Sequence, residues 1–271
     1  MSDAATLWRP QPFLVKLDAL VLRHLRVARA RCLGRIRATL SEWFGSPEAT
    51  TFSSYGVALR TDFADKTFCY CHYGTYGRYL SDYLQSIETD FAFVDIGANQ
   101  GLYSLVAANN SGCRQMIAFE PVQRTFDILS SNIALNGAAD KAVLLRAAFS
   151  TISGETTIYT RAGHSGASTL GTHLGKGGQG ERISTIDATG LEQYLDPALD
   201  VVIKIDVEGH EAVVVDELMG SPFVNRITAI FYEMDERYAD AASVYEALRD
   251  QGFRHFQKFG VGRHYDVLAT R

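Results

Sequence analysis

From residue 91 onward, short apolar runs alternate with stretches of helical spacing, and this alternation restricts the fold more than any other feature. Apolar runs rich in β-branched and aromatic residues predict strands, and apolar residues recurring every three or four positions predict helices. The predicted strands are 91–95, 116–120, 143–147, 201–206, 227–233, 253–259 and 264–269, and the predicted helices are 101–110, 123–136, 189–195, 209–219 and 241–251. The pattern predicts an α/β fold with a doubly wound, mostly parallel seven-stranded sheet that ends in an antiparallel hairpin.

The first predicted strand runs into a glycine-containing turn that is typical of a ligand-binding loop. Residues 95–101 read DIGANQG and join the strand to a helix. Glycine lets backbone approach a ligand closely, and a helix start presents unpaired N–H groups and the positive end of a dipole. A dinucleotide-binding loop has a G-x-G-x-x-G pattern, but Asn99 and Leu102 occupy its second and third glycine positions. The loop therefore disfavours a pyrophosphate ligand.

Acidic residues follow two other predicted strands. Strand 116–120 ends in Glu120, whose carboxylate has enough lone pairs to accept hydrogen bonds from both hydroxyls of a ribose. Strand 201–206 runs into a segment with three acids and a histidine, 206–211. Because the carboxyl ends of parallel strands meet at one edge of a sheet, these acids are expected near the loop at 95–101.

Together these segments closely resemble the FkbM family of methyltransferases. The motifs that carry the resemblance are 95–104, 120–121, 185–187, 204–211 and 231–233, and it extends over residues 90–258. The resemblance implies a class I methyltransferase-like sheet and transfer of a methyl group from S-adenosylmethionine. The acceptor it implies is most often a hydroxyl of a sugar, glycan or secondary metabolite. This cofactor carries no phosphate, which agrees with the loop.

The resemblance also implies roles for particular residues. The cofactor contacts it implies are Asp95, Gly97, Asn99, Gly101, Glu120, Ala148, Phe149 and Asp206. The catalytic residues it implies are Asp206, Glu208, His210 and Glu233. Ala148 and Phe149 follow the third strand, which flanks the adenine in the resembling fold, although a plain core role for Phe149 is the alternative.

Two mechanisms could assist loss of the acceptor's proton. Asp206 and Glu233 end neighbouring strands and resemble the acids that hold magnesium in catechol-type methyltransferases, so they are candidate ligands of Mg²⁺. Without a metal, His210 is the candidate base because imidazole titrates near neutral pH. A helix-start histidine bonded to an acid is the structural alternative for His210. Helix-start carboxylates such as Glu208 are also favoured by the helix dipole alone.

The N-terminal part lies outside the resemblance and is predicted to contain a basic amphipathic helix. Residues 13–44 carry seven Lys/Arg and two acids, a net of +5, whereas the whole chain has a net charge of −5. The helix could dock on the domain, pair with a second copy as a homodimer, or lie on an anionic membrane surface. The negative overall charge argues against a general nucleic-acid binder. A small molecule or glycan is the acceptor that the resemblance implies.

Three units are predicted along the chain. They are a helical extension at 1–50, a β-hairpin and helix at 51–90, and an S-adenosylmethionine-binding catalytic domain at 91–271. The hairpin is predicted from alternating runs at 55–60 and 67–73, after which Thr75 or Tyr76 could touch the cofactor. The glycine-rich segment 160–181, which contains His164, is predicted to be a flexible binding loop.

Four cysteines without zinc-ligand spacing predict reduced thiols and a cytoplasmic protein, with a peripheral position at the inner membrane surface as the alternative. No apolar run approaches 18 residues, and no signal peptide is expected. Two alternative functions stand beside methyl transfer. They are a non-catalytic scaffold that retains the fold and a nicotinamide-dependent oxidoreductase, which the missing glycines disfavour.

Overall fold

In the computed structural model, the described residues are 17–44, 49–160, 169–170, 179–207 and 209–271. The strands are β1 (Thr50–Phe52), β2 (Ala58–Arg60), β3 (Phe91–Ile96), β4 (Cys113–Phe119), β5 (Ala142–Leu145), β6 (Ala147–Phe149), β7 (Gly154–Thr160), β8 (Thr169–Leu170), β9 (Gln179–Ile186), β10 (Asp200–Ile205), β11 (Ile227–Asp235), β12 (His255–Phe259) and β13 (His264–Thr270). The α-helices are α1 (Arg23–Phe44), α2 (Lys66–Tyr73), α3 (Tyr79–Ser86), α4 (Leu102–Ala108), α5 (Gln123–Leu135), α6 (Ala188–Glu192), α7 (Glu211–Met219) and α8 (Ala241–Asp250).

Seven strands form the central sheet in the order β12-β13-β11-β10-β3-β4-β5. Strands β5, β4, β3, β10 and β11 are parallel, whereas β13 runs antiparallel to both β11 and β12. The predicted α/β class, the seven strands and the antiparallel final hairpin are therefore confirmed. Strands β3 and β10 occupy the middle of the sheet, which explains why their sequences are nearly continuous apolar runs.

Helices cover both faces of the sheet, as the alternation predicts. Along β3, Val94 and Ile96 point to the face covered by α6, α7 and α8, whereas Phe93 points to the face covered by α3, α4 and α5. Because side chains alternate between the two faces of a strand, a strand buried on both sides needs apolar residues at every position. Every residue of β3 is buried, and this rigid centre fixes the loop that follows it.

The N-terminal part differs from the prediction in one element. The run at 67–73 is a helix, α2, rather than a strand, and the hairpin is formed by β1 and β2, which pair antiparallel. Asp65 caps α2 because its side chain accepts a hydrogen bond from the backbone N–H of Phe68. Residues 68–73 read FCYCHY and are apolar at almost every position, so they fit both the helical period of 3.6 residues and the strand period of 2. The cap at Asp65 favours the helix. Cys69 and Cys71 are buried free thiols in this helix.

The predicted helix in the N-terminal extension is present. A π-helical turn at Asp18–Leu22 leads into α1, which continues without a break through Gly34 to Phe44. Within the described part of the chain, no helix has the length and apolarity needed to cross a membrane.

A second sheet was not predicted. Strands β6, β9, β7 and β8 form it, and β7 pairs antiparallel with β9. Most residues of β7 are exposed and polar, and such strands lack the apolar alternation from which strands are predicted. Parts of the predicted loop at 160–181 therefore belong to strands, while His164 lies outside the described residues.

Candidate cofactor and acceptor site

A cavity of about 240 Å³ opens at the carboxyl edge of the central sheet. We call it the edge cavity. Its wall includes residues from β3, β4, β10 and β11 and the segments that follow them, together with residues of α2, the second sheet and Tyr76. The four strands lie in the order β11, β10, β3, β4, so the outer two are about 14 Å apart at normal strand spacing. Of the predicted site residues, Gly97, Asn99, Glu120, Ala148, Phe149, Asp206 and Glu233 line this cavity.

The loop after β3 has a backbone conformation that requires glycine. Gly97 has a φ of 80°, and a Cβ at this position would overlap the carbonyl oxygen of Asp206. Gly101 has a φ of 85°, and a Cβ there would lie 2.6 Å from a methyl carbon of Leu129. Both glycines thus permit close packing against protein. Asn99 has a φ of 49°, a left-handed conformation that asparagine adopts more readily than most residues.

A buried lysine holds the underside of this loop. Lys204 Nζ donates a hydrogen bond to the Gly97 carbonyl oxygen at 2.7 Å and lies 3.1 Å from Asp95 Oδ1 and 3.7 Å from Asp206 Oδ2. Asp95 Oδ2 in turn accepts hydrogen bonds from the backbone N–H and hydroxyl of Ser104 at the start of α4. Each charge therefore has a partner, as a buried ion pair needs.

Two predicted cofactor contacts do not line the cavity. Asp95 is buried beneath the loop, where it contacts Lys204 and Ser104, and Gly101 faces Leu129 of α5. Asp95 and Gly101 therefore position the loop through contacts with protein and not with the cavity. Lys204 was not predicted as a site residue. Its position inside the apolar strand VVIKI is nevertheless a signal, because a buried lysine needs a partner.

Glu120 lies at the carboxyl end of β4 and is almost completely buried. Its Oε2 accepts a hydrogen bond from the Asn99 N–H at 3.1 Å, and its Oε1 accepts one from the Val122 N–H at 3.0 Å. Burial raises the pKa of Glu120 to about 7, although these two hydrogen bonds oppose the shift. Because each carboxylate oxygen has two lone pairs, both can still accept from a ligand in the cavity.

Asp206 follows β10, and 47% of its side chain is accessible. The accessible part faces the edge cavity, and protein encloses the carboxylate on its other sides. This enclosure raises the pKa of Asp206, and the nearby Glu233 adds to the rise while Lys204 opposes it. Glu233 Oε1 lies 2.5 Å from His264 Nε2. The Glu233 carboxylate raises the pKa of His264 because it stabilises the charged imidazolium.

The predicted Mg²⁺ site does not fit the structure. In the described residues, no three His, Cys, Asp or Glu side chains are grouped so that they could hold a metal ion. Asp206 already faces the Lys204 ammonium, and Glu233 bonds His264. A hard cation needs six or more oxygen ligands and would compete with both partners. No step of the reaction is therefore assigned to a metal.

A further predicted catalytic residue, His210, does not line the cavity. His210 precedes α7, with its Nε2 3.4 Å from the Ser150 hydroxyl, and burial lowers its pKa. His210 thus lies at a helix start, as the structural alternative has it, but the neighbour of its ring is a hydroxyl and not an acid. Glu208 lies outside the described residues. Glu211 accepts hydrogen bonds from the backbone N–H groups of Val207 and Gly209, which gives it a structural role.

Several wall residues were not predicted as site residues from the sequence. Thr67, Tyr70 and Cys71 of α2 line the cavity, and so does Tyr103 of α4. Tyr76 also lines it, in agreement with the expectation that Thr75 or Tyr76 would reach the site, whereas Thr75 is buried and absent from the wall. Burial raises the pKa of both Tyr76 and Tyr103, so these phenols remain neutral hydrogen-bonding groups.

The sheet order, the glycine loop after β3 and the acid after β4 define the class I methyltransferases. A family profile described as the methyltransferase FkbM domain matches residues 95–255, which is more than half of the chain. The chain belongs to the FkbM methyltransferase family, and it is an S-adenosylmethionine-dependent methyltransferase. The family match rules out the dehydrogenase alternative. A comparison with curated proteins found no match.

Solved structures with this fold include several methyltransferases. The METTL16 methyltransferase domain is 13% identical with a TM-score of 0.50, and the alignment covers 90% of this chain and 80% of that one. For TYW2 of M. jannaschii in complex with AdoMet, the identity is 13%, the TM-score 0.48 and the coverage 83% and 85%. For a precorrin-6y C5,15-methyltransferase of Geobacter metallireducens, the values are 14%, 0.44, 73% and 88%. At these identities the likeness concerns the fold alone.

Proposed function

We propose that the chain transfers the methyl group of S-adenosylmethionine to a hydroxyl of a sugar, glycan or secondary metabolite. The observation that supports this most is the position of Asp206. Its carboxylate opens into the same cavity as the Gly97 loop and Glu120, and its pKa is raised by enclosure. A carboxylate with a raised pKa is a stronger base than a solvated one.

The residues on the β3 and β4 side are proposed to hold the cofactor. Glu120 would accept from the two ribose hydroxyls, because each of its oxygens accepts only one backbone hydrogen bond and retains a lone pair. The exposed backbone at Gly97 and Asn99 would pack against the amino acid portion. Ala148 and Phe149 would lie against the adenine, with Phe149 held by an edge contact with Phe119 at 5.8 Å between ring centroids.

On the β10 side, Asp206 is proposed to act as general base. The bound cofactor supplies a methyl group on a positively charged sulfur. As the acceptor hydroxyl is methylated, its proton would pass to the Asp206 carboxylate. The ammonium of Lys204, 3.7 Å from Asp206, favours the ionised form of this carboxylate.

The acceptor is proposed to bind near the tyrosines. Tyr76 and Tyr103 line the cavity and stay protonated, so each can both donate and accept a hydrogen bond. Aromatic rings with hydroxyl groups suit a polyhydroxylated ring, which has apolar faces and polar edges. This chemistry supports a sugar or a hydroxylated natural product as the acceptor.

The proposal is tested by product analysis. Purified protein is incubated with S-adenosylmethionine and a panel of nucleotide sugars and glycosides, with and without a chelator, and the methylated position is read by mass spectrometry and NMR. We expect O-methylated product whose rate is unchanged by the chelator. Methylation only at nitrogen or carbon, or complete loss of activity with chelator that added Mg²⁺ restores, would contradict the proposal.

A further inference from the structure

Helix α1 rests on the domain through its small residues. Ala30 is fully buried, and Gly34 lies so close to α2 that a Cβ there would be 2.6 Å from Cys69 Sγ. At the side of the same contact, Arg31 Nε donates a hydrogen bond to the Tyr70 hydroxyl at 2.7 Å. The face of α1 that packs on the enzyme is therefore defined, and it is not the apolar face.

The apolar residues of α1 and of the turn before it point to solvent. Leu25, Ile36 and Trp43 are 61%, 50% and 78% exposed, and they lie on the face opposite Ala30 and Gly34 at 3.6 residues per turn. We call the exposed residues of this face the outer stripe; they are Val21, Leu25, Cys32, Ile36, Leu40 and Trp43. A contiguous apolar stripe of this kind marks an interaction surface.

Positive charge lies within and beside the outer stripe. Helix α1 contains six arginines, a histidine and one acidic residue, Glu42. At 100° per residue, the exposed Arg35 lies beside the stripe, and the exposed Arg29 lies within it, between Ile36 and Leu40. The preceding Asp18 is already bonded to Arg26, with 2.6 Å between Oδ1 and Nη1. The surface is therefore apolar, with exposed arginines within it and beside it.

We propose that α1 lies on an anionic lipid bilayer, with the outer stripe at the boundary between headgroups and acyl chains. Over its 22 residues the helix is about 33 Å long, and a helix with an apolar face and exposed arginines lies in the plane of such an interface. A second copy of the chain fits this surface less well. Two such faces in contact would bring arginines against arginines, which is unfavourable.

The chain offers a direct optical test, because it contains only two tryptophans, Trp8 and Trp43. In the Trp8→Phe chain, the emission of Trp43 alone is followed during titration with vesicles. One set contains phosphatidylcholine with phosphatidylglycerol, and the other contains phosphatidylcholine alone. We expect a blue shift with the anionic vesicles, quenching by brominated acyl chains, and weak binding to the neutral vesicles.

Variants separate the apolar and the charge contributions. In the same Trp8→Phe background, Leu25→Ser with Ile36→Ser should weaken vesicle binding by about tenfold or more, because two apolar side chains no longer leave water. Arg29→Gln and Arg35→Gln should each weaken it by about fivefold and reduce its salt dependence. The matched control is Leu135→Ser with Ile152→Ser, two exposed apolar residues outside α1, which should leave binding unchanged.

Three results would overturn the proposal. One is an unchanged Trp43 spectrum with anionic vesicles, and another is equal affinity for both vesicle types. The third is a dimer in light scattering that Leu25→Ser with Ile36→Ser converts to monomer, which would assign the stripe to a second copy. None of these readouts involves methyl transfer, so they are independent of the proposed acceptor. S-adenosylhomocysteine binding verifies that each variant is folded.

Discussion

The β4 side and the β11 side of the edge cavity differ in how far their carboxylates are exposed to it. On the β4 side, Glu120 accepts two backbone N–H groups and the loop carbonyl at Gly97 accepts from Lys204, so the polar groups are partnered before any ligand binds. On the β10 and β11 side, the Asp206 carboxylate remains accessible from the cavity. A preorganised wall favours binding, whereas an accessible carboxylate with a raised pKa favours proton transfer.

The largest effect is expected on the reactive side. Asp206→Asn removes the proposed base but keeps the size and a polar contact to Lys204. We expect kcat to fall by about 10²–10⁴-fold with little change in S-adenosylhomocysteine affinity. Steady-state kinetics and calorimetry measure the two quantities. If affinity fell as far as kcat, the division of the cavity into a binding side and a reactive side would be wrong.

The buried ion pair should matter for stability. Lys204→Met leaves the Asp95 carboxylate buried without its cation, which we expect to lower the free energy of unfolding by about 3–5 kcal/mol. Denaturant titration measures the change, and Lys66→Met, at an exposed position on α2, is the control. A loss similar to that of the control would show that the Asp95 carboxyl needs no ammonium partner.

Gly97 in the loop after β3 and Gly137 after α5 both have positive φ and form a matched pair of positions for substitution. Gly97→Ala introduces a Cβ that overlaps the Asp206 carbonyl and also strains a backbone with φ of 80°, whereas Gly137→Ala, at φ 64°, meets no atom within 4 Å. We expect about 2–4 kcal/mol of destabilisation for Gly97→Ala and about 1 kcal/mol for Gly137→Ala. Equal losses would mean that backbone strain alone, without the close approach of the β3 and β10 loops, fixes Gly97.

The smallest effect concerns pH. Glu120 has a pKa of about 7 in the free protein, and hydroxyl donors from a ribose favour its ionised form. Binding is therefore linked to loss of a proton, so affinity for S-adenosylhomocysteine should increase as pH rises and should be up to about tenfold weaker at pH 6 than at pH 8. In Glu120→Gln this dependence should disappear. A wild-type affinity that falls with rising pH would contradict the proposed ribose contact.

The central sheet could be predicted because its strands are buried on both faces and therefore apolar throughout, as β3 and β10 illustrate. Helix α2 was misassigned because its residues satisfy both periods and the deciding cap lies at Asp65. Strands β7 and β9 were missed because they are largely polar, and among their described side chains only Ile158 and Ile183 are buried.

Within the site, residues at strand ends were predictable, since topology alone brings Gly97, Glu120, Asp206 and Glu233 to one edge. The walls contributed by Tyr70 and Tyr103 depend on how α2 and α4 pack. The partners of Lys204, Gly97 and Asp95, are about 100 residues away in the chain, so only the folded structure identifies them.

Calorimetric binding of S-adenosylhomocysteine to the wild type, Glu120→Ala and the exposed control Glu246→Ala tests the central claim most directly, because it asks whether the edge cavity is the cofactor site. We expect the wild type and Glu246→Ala to bind equally well and Glu120→Ala to bind at least about tenfold more weakly, since hydrogen bonds to a charged acceptor are lost. Undiminished binding by Glu120→Ala, with the protein folded, would place the cofactor elsewhere and contradict the account.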